Sequence, residues 1–236
     1  TRPVRVQATG TGAVLGPAPL SGALVAVSGA DDVAFVGLRF QGNSGSLGLR
    51  FAGGSNRGVV EDCEFLGFGQ DGVRIEGPPS AGHRLARTRF AGIRRASGGP
   101  AVALYASASA GLLVEDCPFV DCDRGVELVG SALAVLRRVT ATDLYQSAVL
   151  ANDSTDLLLE DCRVTRCAQF PSPAQWFFAS DEPGAIALTS FSHRAVLRRT
   201  VVEDCGGYTG KNSFRAPAVL RYDGLFAVGI LDSTNV

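Results

Sequence analysis

The chain has 236 residues, of which 46% are hydrophobic and 19% charged, so it can bury a substantial core in one large domain. Its net charge of −1 argues against a general nucleic-acid-binding protein, which would show an excess of basic residues. No apolar run reaches the roughly 18 residues of a membrane-spanning helix, so no membrane span is expected.

Short apolar runs separated by Gly, Ser, Asn or Asp predict many short β-strands. Residues 1–30 are expected to form a first coil or an N-terminal cap. Beyond them one pattern recurs: two apolar residues, two charged or small residues, a reference residue, any residue, then an apolar one. In chain order the reference residues are Leu38, Cys63, Thr88, Cys117, Val139, Cys162 and Thr200, with a weaker match at Ile230.

A second apolar segment recurs between the reference residues. It reads GLRF at 48, GVRI at 72, AVAL at 101, GVEL at 125, AVLA at 148, AIAL at 185 and AVLR at 218. Phenylalanine also recurs two positions after four references, at Phe40, Phe65, Phe90 and Phe119. Repeats of this length, with two short strands and tight corners, predict the coils of a parallel β-helix stacked about 4.8 Å apart.

The recurring VEDCxF and GVxI segments resemble those of the right-handed parallel β-helix repeat family, the pectate-lyase-like superfamily. The resemblance covers about residues 20–236. It implies an all-β fold: a single-stranded right-handed parallel β-helix, or solenoid, of about eight coils, forming one domain over residues 1–236. We expect the C-terminal end to continue or to be covered by a protein partner, because an open end exposes unpaired strand edges. The fold hosts lyases, hydrolases, epimerases, adhesins and scaffolds, so it does not fix the function.

Charged pairs precede the reference residues, and their sign alternates from coil to coil. The acidic pairs Glu61-Asp62, Glu115-Asp116 and Glu160-Asp161 alternate with Arg87, Arg137-Arg138 and Arg198-Arg199. In a parallel stack these residues become neighbours, so we predict ion pairs between coils rather than a metal site.

The six cysteines are expected to face the core as small hydrophobic residues. Only Cys167 and Cys205 are predicted to lie in adjacent coils, so a disulfide, if one forms, is expected there. No C-x-x-C pair occurs, so no zinc site is expected.

The large insertions all fall between a reference residue and the next GVxI-like segment, so we expect them at one corner of the solenoid. Such a corner is usually the binding face. The candidate substrate-binding residues there are Arg94, Arg95, Gln169, Trp176, Tyr208 and Asn212. Aromatic rings beside polar and charged groups suit a sugar. The alternative is that Trp176, Phe177 and Phe178 only pin the long loop against the rod.

Catalytic residues are not identified by any complete motif. The weak candidates are Asp181, Glu182, Lys211 and Arg215. A glycosidase needs two carboxylates, which Asp71, Asp121, Asp123, Asp143 or Asp223 would supply with Asp181 or Glu182. A lyase would use a basic residue, often with calcium, so calcium is expected only in that case. His83 and His193 are predicted to be surface turn residues.

Two classes of function remain open on the sequence alone. The first is extracellular polysaccharide recognition or processing, by a lyase, a hydrolase or a binding module, with a groove along the inserted loops. The alternative is a non-catalytic structural, adhesion or assembly-scaffold protein. Both favour an extracellular, periplasmic or cell-surface location, and the first implies a polysaccharide or another glycan as the partner.

Overall fold

The computed structural model describes residues 3–9, 13–16, 21–78, 80–95, 99–167, 185–189, 192–205, 220–222 and 229–231. Every strand pairing within these residues is parallel, and they contain no helix. The chain visits three sheets in turn and contributes one strand to each sheet per coil. This architecture is a parallel β-helix, so the fold class predicted from the sequence is confirmed.

Sheet 1 consists of β1 Val4–Gln7, β4 Val33–Val36, β7 Val59–Glu61, β11 Arg84–Ala86, β15 Leu113–Glu115, β18 Val135–Arg137, β21 Leu158–Glu160, β24 Val196–Arg198 and β27 Gly229–Leu231. Sheet 2 consists of β2 Val14–Leu15, β5 Arg39–Gln41, β8 Glu64–Leu66, β12 Arg89–Ala91, β16 Pro118–Val120, β19 Thr140–Thr142, β22 Arg163–Thr165 and β25 Val201–Glu203. Sheet 3 consists of β3 Gly22–Ser28, β6 Ser46–Ala52, β9 Asp71–Ile75, β13 Val102–Ser107, β17 Arg124–Val129, β20 Val149–Asn152, β23 Ile186–Thr189 and β26 Leu220–Tyr222. The short strands β10 Ser80–Ala81 and β14 Ser109–Ala110 form a separate two-stranded sheet.

About six coils are described almost without a break between residues 21 and 167, slightly fewer than the eight predicted. The other strands extend the three sheets at both ends. The predicted reference column is buried from Leu38 to Thr200. Ile230 pairs with Leu197 of β24, so its assignment to the reference column was wrong.

The phenylalanine column forms a continuous stack through the core. The ring centroids of Phe40 and Phe65 are 4.4 Å apart, those of Phe65 and Phe90 5.2 Å, and those of Phe90 and Phe119 4.9 Å, with the rings nearly parallel. All four side chains are buried. The strand register places them opposite one another, which confirms the spacing found in the sequence.

The corners between sheets are formed by single residues in the left-handed backbone region. Between sheet 1 and sheet 2 these residues are Gly37, Asp62, Arg87, Asp116, Arg138, Asp161 and Arg199, with φ between 46° and 69°. Asp tolerates this conformation, because its short side chain can hydrogen-bond locally, whereas Arg has no such preference. The arginines at these positions therefore need another source of stability.

Ion pairs between adjacent coils supply a part of it. Arg87 donates two hydrogen bonds to the carboxylate of Asp62, at 2.7 and 3.0 Å, and Arg138 binds Asp116 in the same two-point way. Beside this corner the carboxylate of Glu115 contacts Arg84 at 3.4 Å and Arg137 at 3.3 Å. The predicted alternating ladder is confirmed, and its carboxylates are engaged by guanidinium groups.

A column of buried serines lines the corner between sheet 3 and sheet 1. The hydroxyl oxygens of Ser131, Ser154 and Ser192 accept hydrogen bonds from the backbone N–H of Ser109, Ser131 and Ser154, at 3.3, 3.1 and 3.0 Å. Each serine thus satisfies a buried backbone donor of the preceding coil, which would otherwise destabilise the corner.

His83 lies in the core, so the prediction that it is a surface turn residue was wrong. Its side chain is buried, and Nδ1 accepts a hydrogen bond from the backbone N–H of Gly58 at 3.2 Å. A Cβ atom at residue 58 would lie 2.7 Å from that nitrogen, so glycine makes the room for the ring. Nε2 lies 2.9 Å from the carbonyl oxygen of Ser55 and must therefore carry the proton. His193 is partly exposed and forms an isolated bridge with Thr155.

Candidate functional site

The three insertions share one corner, as predicted. They lie in the chain between β12 and β13, between β22 and β23, and between β25 and β26, so each connects sheet 2 to sheet 3. We call this edge the 2–3 corner. Any surface built by the insertions therefore borders the beginning of the sheet 3 strands.

Most of the predicted site residues lie outside the part of the chain that the structure describes. Those outside the described residues are Gln169, Trp176, Phe177, Phe178, Asp181, Glu182, Tyr208, Lys211, Asn212, Arg215 and Asp223. Arg94 and Arg95 lie within them, at the start of the first insertion.

Arg94 is held against the next two coils. Its guanidinium pairs with the carboxylate of Asp121, donates a hydrogen bond to the Tyr145 hydroxyl at 2.9 Å, and lies 3.9 Å from the centre of the Tyr145 ring. A third of the Arg94 side chain stays exposed. Arg94 is thus positioned at the 2–3 corner by Asp121 and Tyr145, and its exposed part can still contact a ligand.

Arg95 is anchored by its backbone as well as its side chain. Its N–H donates to a carboxylate oxygen of Asp123 at 2.8 Å, and the same oxygen accepts the N–H of Ala101 at 3.0 Å. Its Nε donates to the carbonyl oxygen of Gly69 at 3.2 Å. Asp123 therefore joins the two ends of the first insertion, which indicates a structural role for this carboxylate.

A polar cluster lies on the outer face of sheet 3, directly beside the 2–3 corner. In β9 the side chains of Val73 and Ile75 are buried in the core, so Arg74 between them points outward. Its Nε donates to the carboxylate of Asp71 at 2.6 Å, and the other oxygen of Asp71 accepts the N–H of Val102 at 3.1 Å. The Asp71 side chain is only 4% exposed, which makes it an almost fully covered carboxylate on an outer sheet face.

The next two coils complete the cluster. Tyr105 of β13 is in register with Arg74 on one side and with Glu127 of β17 on the other. The Arg74 guanidinium lies 4.8 Å from the centre of the Tyr105 ring. On β17, Arg124 donates to Glu127 at 2.7 Å and to the side-chain oxygen of Gln146 at 2.7 Å. We call Asp71, Arg74, Tyr105, Arg124 and Glu127 the Tyr105 face.

The two ion pairs of the Tyr105 face have opposite orientations. On β9 the carboxylate comes first and the arginine three residues later, whereas on β17 the arginine comes first. Tyr105 lies on the coil between them. The face therefore offers a partly exposed aromatic side chain with hydrogen-bond donors and acceptors on both sides.

Burial raises the pKa of Asp71, and the nearby negative charge of Glu127 adds to that rise, while Arg74 opposes it. Raised carboxyl pKa values are a requirement for proton donors at neutral pH. Structural ion pairs also perturb pKa values, so a raised pKa alone does not identify Asp71 as a proton donor.

The sequence interpretation missed Arg74, Tyr105, Arg124 and Glu127. Tyr105 was missed because its strand was aligned two residues too early in the repeat. Leu104 pairs with Val73, so the segment equivalent to GVRI is ALYA at 103–106 rather than AVAL at 101. The third residue of each correctly framed segment points outward. Reading that position down the stack, as Arg50, Arg74, Tyr105 and Glu127, would have revealed the face.

The cysteines do not contribute a nucleophile to this face. Burial raises the pKa of Cys117 and Cys122 to about 12 and that of Cys162 to about 11. Their thiols point to backbone carbonyl oxygens inside the solenoid. This agrees with the expectation that they pack as small core residues.

The chain belongs to the family of right-handed β-helix regions, whose pattern matches residues 22–196. This assigns the handedness and agrees with the resemblance found in the sequence. No curated protein matches the chain. Among the described residues, no helix is long and apolar enough to cross a membrane, and no group of three or more His, Cys, Asp or Glu side chains is arranged to hold a metal ion.

Solved structures that superpose on this chain include some titled as carbohydrate-active proteins. A structure titled glycoside hydrolase superposes with a TM-score of 0.66 at 13% identity, covering 89% of this chain and 37% of that one. The A-module of a mannuronan C-5 epimerase from Azotobacter vinelandii gives a TM-score of 0.42 at 13% identity, covering 85% of this chain and 60% of that one. A GH87 α-1,3-glucanase from Streptomyces thermodiastaticus gives 0.35 at 11% identity, covering 89% and 49%. At these identities the first similarity shows the fold alone, and the chain spans less than two thirds of each of these proteins.

Proposed function

We propose that this chain recognises polysaccharides on the Tyr105 face and along the adjoining 2–3 corner, outside the cell or at its surface. The observation that carries the proposal is the position of Tyr105, a half-buried aromatic side chain between two ion pairs on an outer sheet face. A tyrosine ring packs against the apolar side of a sugar ring, and charged groups around it bind hydroxyls. The fold similarity to a structure titled glycoside hydrolase supports this choice of ligand class.

The charges on this surface favour a neutral glycan over an acidic one. Arg50 adds to the face by donating to Glu76 at 2.6 Å, and Glu76 also contacts Arg74 at 3.6 Å. Three arginines, Arg50, Arg74 and Arg124, thus face three carboxylates, Asp71, Glu76 and Glu127, and each arginine is paired. A uronate carboxylate would have to break one of these pairs, whereas sugar hydroxyls can bind groups that remain paired.

The same face favours glycan cleavage as a second function. Burial raises the pKa of Asp71, as a proton donor to a leaving-group oxygen requires, while its ion pair with Arg74 opposes that rise. Glu127 is the second carboxylate of the face, and it is ion-paired with Arg124. A glycosidase needs two carboxyl groups at the scissile bond, one to donate a proton and one to act as base or nucleophile. The inserted loops, with Asp181 and Glu182, stay an alternative source of catalytic carboxylates.

The test is a panel of purified neutral glucans, galactans, mannans and xylans beside polygalacturonate and alginate. Binding, new reducing ends and unsaturated products are measured in the same wells. The proposal predicts binding to a neutral polymer. If cleavage occurs, Asp71→Asn and Glu127→Gln are expected to remove it while binding is kept.

Each outcome has a distinct meaning. Binding to a uronate polymer alone would contradict the neutral class but keep glycan recognition. Cleavage that survives both substitutions would move the chemistry to other carboxylates. If no glycan binds, the structural or assembly-scaffold function becomes the better account.

A further inference from the structure

Cys167 and Cys205 occupy equivalent positions in adjacent coils. Thr165 and Glu203 are paired in register, and each cysteine follows two residues later. Adjacent parallel strands lie about 4.8 Å apart, which is within the Cα separation that a disulfide spans. The Cys205 Sγ atom lies 3.2 Å from the backbone N of Cys167, so it already leans toward its neighbour's coil.

The other cysteines lack such a neighbour. Thr88 separates Cys63 from Cys117 in the reference column, and Val139 separates Cys117 from Cys162. In the second column Leu144, the residue two positions after Thr142, separates Cys122 from Cys167. All six cysteines are reduced in the structure, and only the pair at 167 and 205 is adjacent.

We propose that Cys167 and Cys205 form a disulfide that joins the last two described coils at the 2–3 corner. The two longest insertions of the sequence begin at residues 168 and 206, directly after the two cysteines. The bond therefore ties together the points from which both insertions leave the solenoid. It does not depend on the proposed glycan function.

The chemistry needs an oxidant, and a glutathione-type disulfide is sufficient. Cys205 is the attacking group, because it is half-buried whereas Cys167 is buried. The neighbouring Cys167 thiol and the hydrogen bond from the Cys167 backbone N–H also lower its pKa. Its thiolate displaces one reduced glutathione and forms a mixed disulfide. The Cys167 thiolate then attacks the Cys205 sulfur and releases the second glutathione, so the two thiol protons end on the two glutathione molecules.

One adjustment of Cys167 is required. Its Sγ now points to the carbonyl oxygen of Ala141, at 3.6 Å, in the preceding coil. Closing the bond needs a rotation about the Cα–Cβ bond to another staggered rotamer. The disulfide is expected to raise the free energy of unfolding, because it restricts the conformational freedom of the unfolded chain between the two residues.

The test equilibrates the protein with oxidised glutathione, alkylates the remaining thiols in denaturant and maps the peptides by mass spectrometry. We expect one disulfide, between the peptides carrying Cys167 and Cys205, and four alkylated cysteines. The melting temperature should rise by about 5 °C or more over the reduced protein. Cys205→Ser and Cys167→Ser should each abolish this rise, whereas Cys122→Ser should keep it.

Six alkylated cysteines after oxidation, or a disulfide between any other pair, would overturn the proposal. The peptide map decides this even if a serine variant folds poorly, because the unaltered chain is the protein analysed. A mixed disulfide that stays on Cys205 and never closes would also count against it.

Discussion

Arg87 and Asp62 form a two-point ion pair between adjacent coils, and both hold left-handed backbone angles, with φ of 46° and 53°. The same combination recurs at Arg138 with Asp116 and at Arg199 with Asp161. A backbone geometry that usually favours glycine is thus used to aim charged side chains along the stack. The pairs are exposed, so their main effect is expected on register rather than on total stability.

Substitutions at Arg87 separate the ion pair from the backbone strain. Arg87→Ala removes the pair and keeps a residue that disfavours positive φ, whereas Arg87→Gly removes the pair and relieves the strain. We expect Arg87→Gly to be the more stable variant in urea unfolding. Arg87→Glu should be the least stable of the three, because it faces Glu61 and Asp62. Equal stability of the glycine and alanine variants would show that the corner is not strained.

Leu133 has a left-handed backbone conformation, and as a leucine it forms no ion pair that would offset the strain. Its φ is 59°, and the residue is 59% exposed. Equivalent corner positions in two earlier coils hold Gly82 and Gly111. We expect Leu133→Gly to stabilise the protein by about 0.5–1 kcal/mol in chemical denaturation. Leu133→Ala is the control, and a similar gain from alanine would assign the effect to the lost apolar exposure instead.

Phe90 has a phenylalanine ring on each side, at 5.2 and 4.9 Å between centroids. Phe90→Ala is expected to lower the free energy of unfolding by about 3–5 kcal/mol, because the rigid stack cannot close the cavity. Phe90→Leu should cost clearly less, since it refills much of the volume. If both variants lost the same small amount, the column would not be a packed core.

His83 gives the stability a defined dependence on pH. Burial lowers its pKa, while the hydrogen bond to the Ser55 carbonyl and the charge of Asp31 oppose the effect. A histidine with a lowered folded pKa contributes stability above its unfolded pKa of about 6.5, and this contribution is lost as the pH falls below that value. Protonation of Nδ1 would also break the hydrogen bond from Gly58.

Thermal unfolding between pH 8 and pH 5 measures this contribution. We expect the melting temperature of the unaltered protein to fall over this range. In His83→Asn the fall should be much smaller, even if the variant is less stable at pH 8. His193→Asn, which changes the chain's other histidine, should keep the full dependence. An unchanged profile in His83→Asn would place the titration elsewhere.

Features repeated in every coil could be predicted from the sequence, whereas those that depend on one position could not. The reference column, the phenylalanine stack and the charge ladder recur at the coil spacing, so each copy supports the others. Tyr105 was missed because Ala101-Val102-Ala103-Leu104 fits the apolar pattern two residues before the true frame. His83 was misplaced because its partner is the glycine at position 58, which no periodic signal marks.

Glycan binding on the Tyr105 face requires the aromatic ring of Tyr105, so Tyr105→Ala is the decisive variant. The measurement is the dissociation constant of the neutral polymer bound in the panel, for the unaltered protein, for Tyr105→Ala and for Leu158→Ala. Leu158 is a matched control, because it is a half-buried side chain on the outer face of sheet 1. We predict at least a tenfold loss of affinity for Tyr105→Ala, as expected for an aromatic contact, and no change for Leu158→Ala. Unaltered binding by Tyr105→Ala would show that the glycan does not bind on the Tyr105 face.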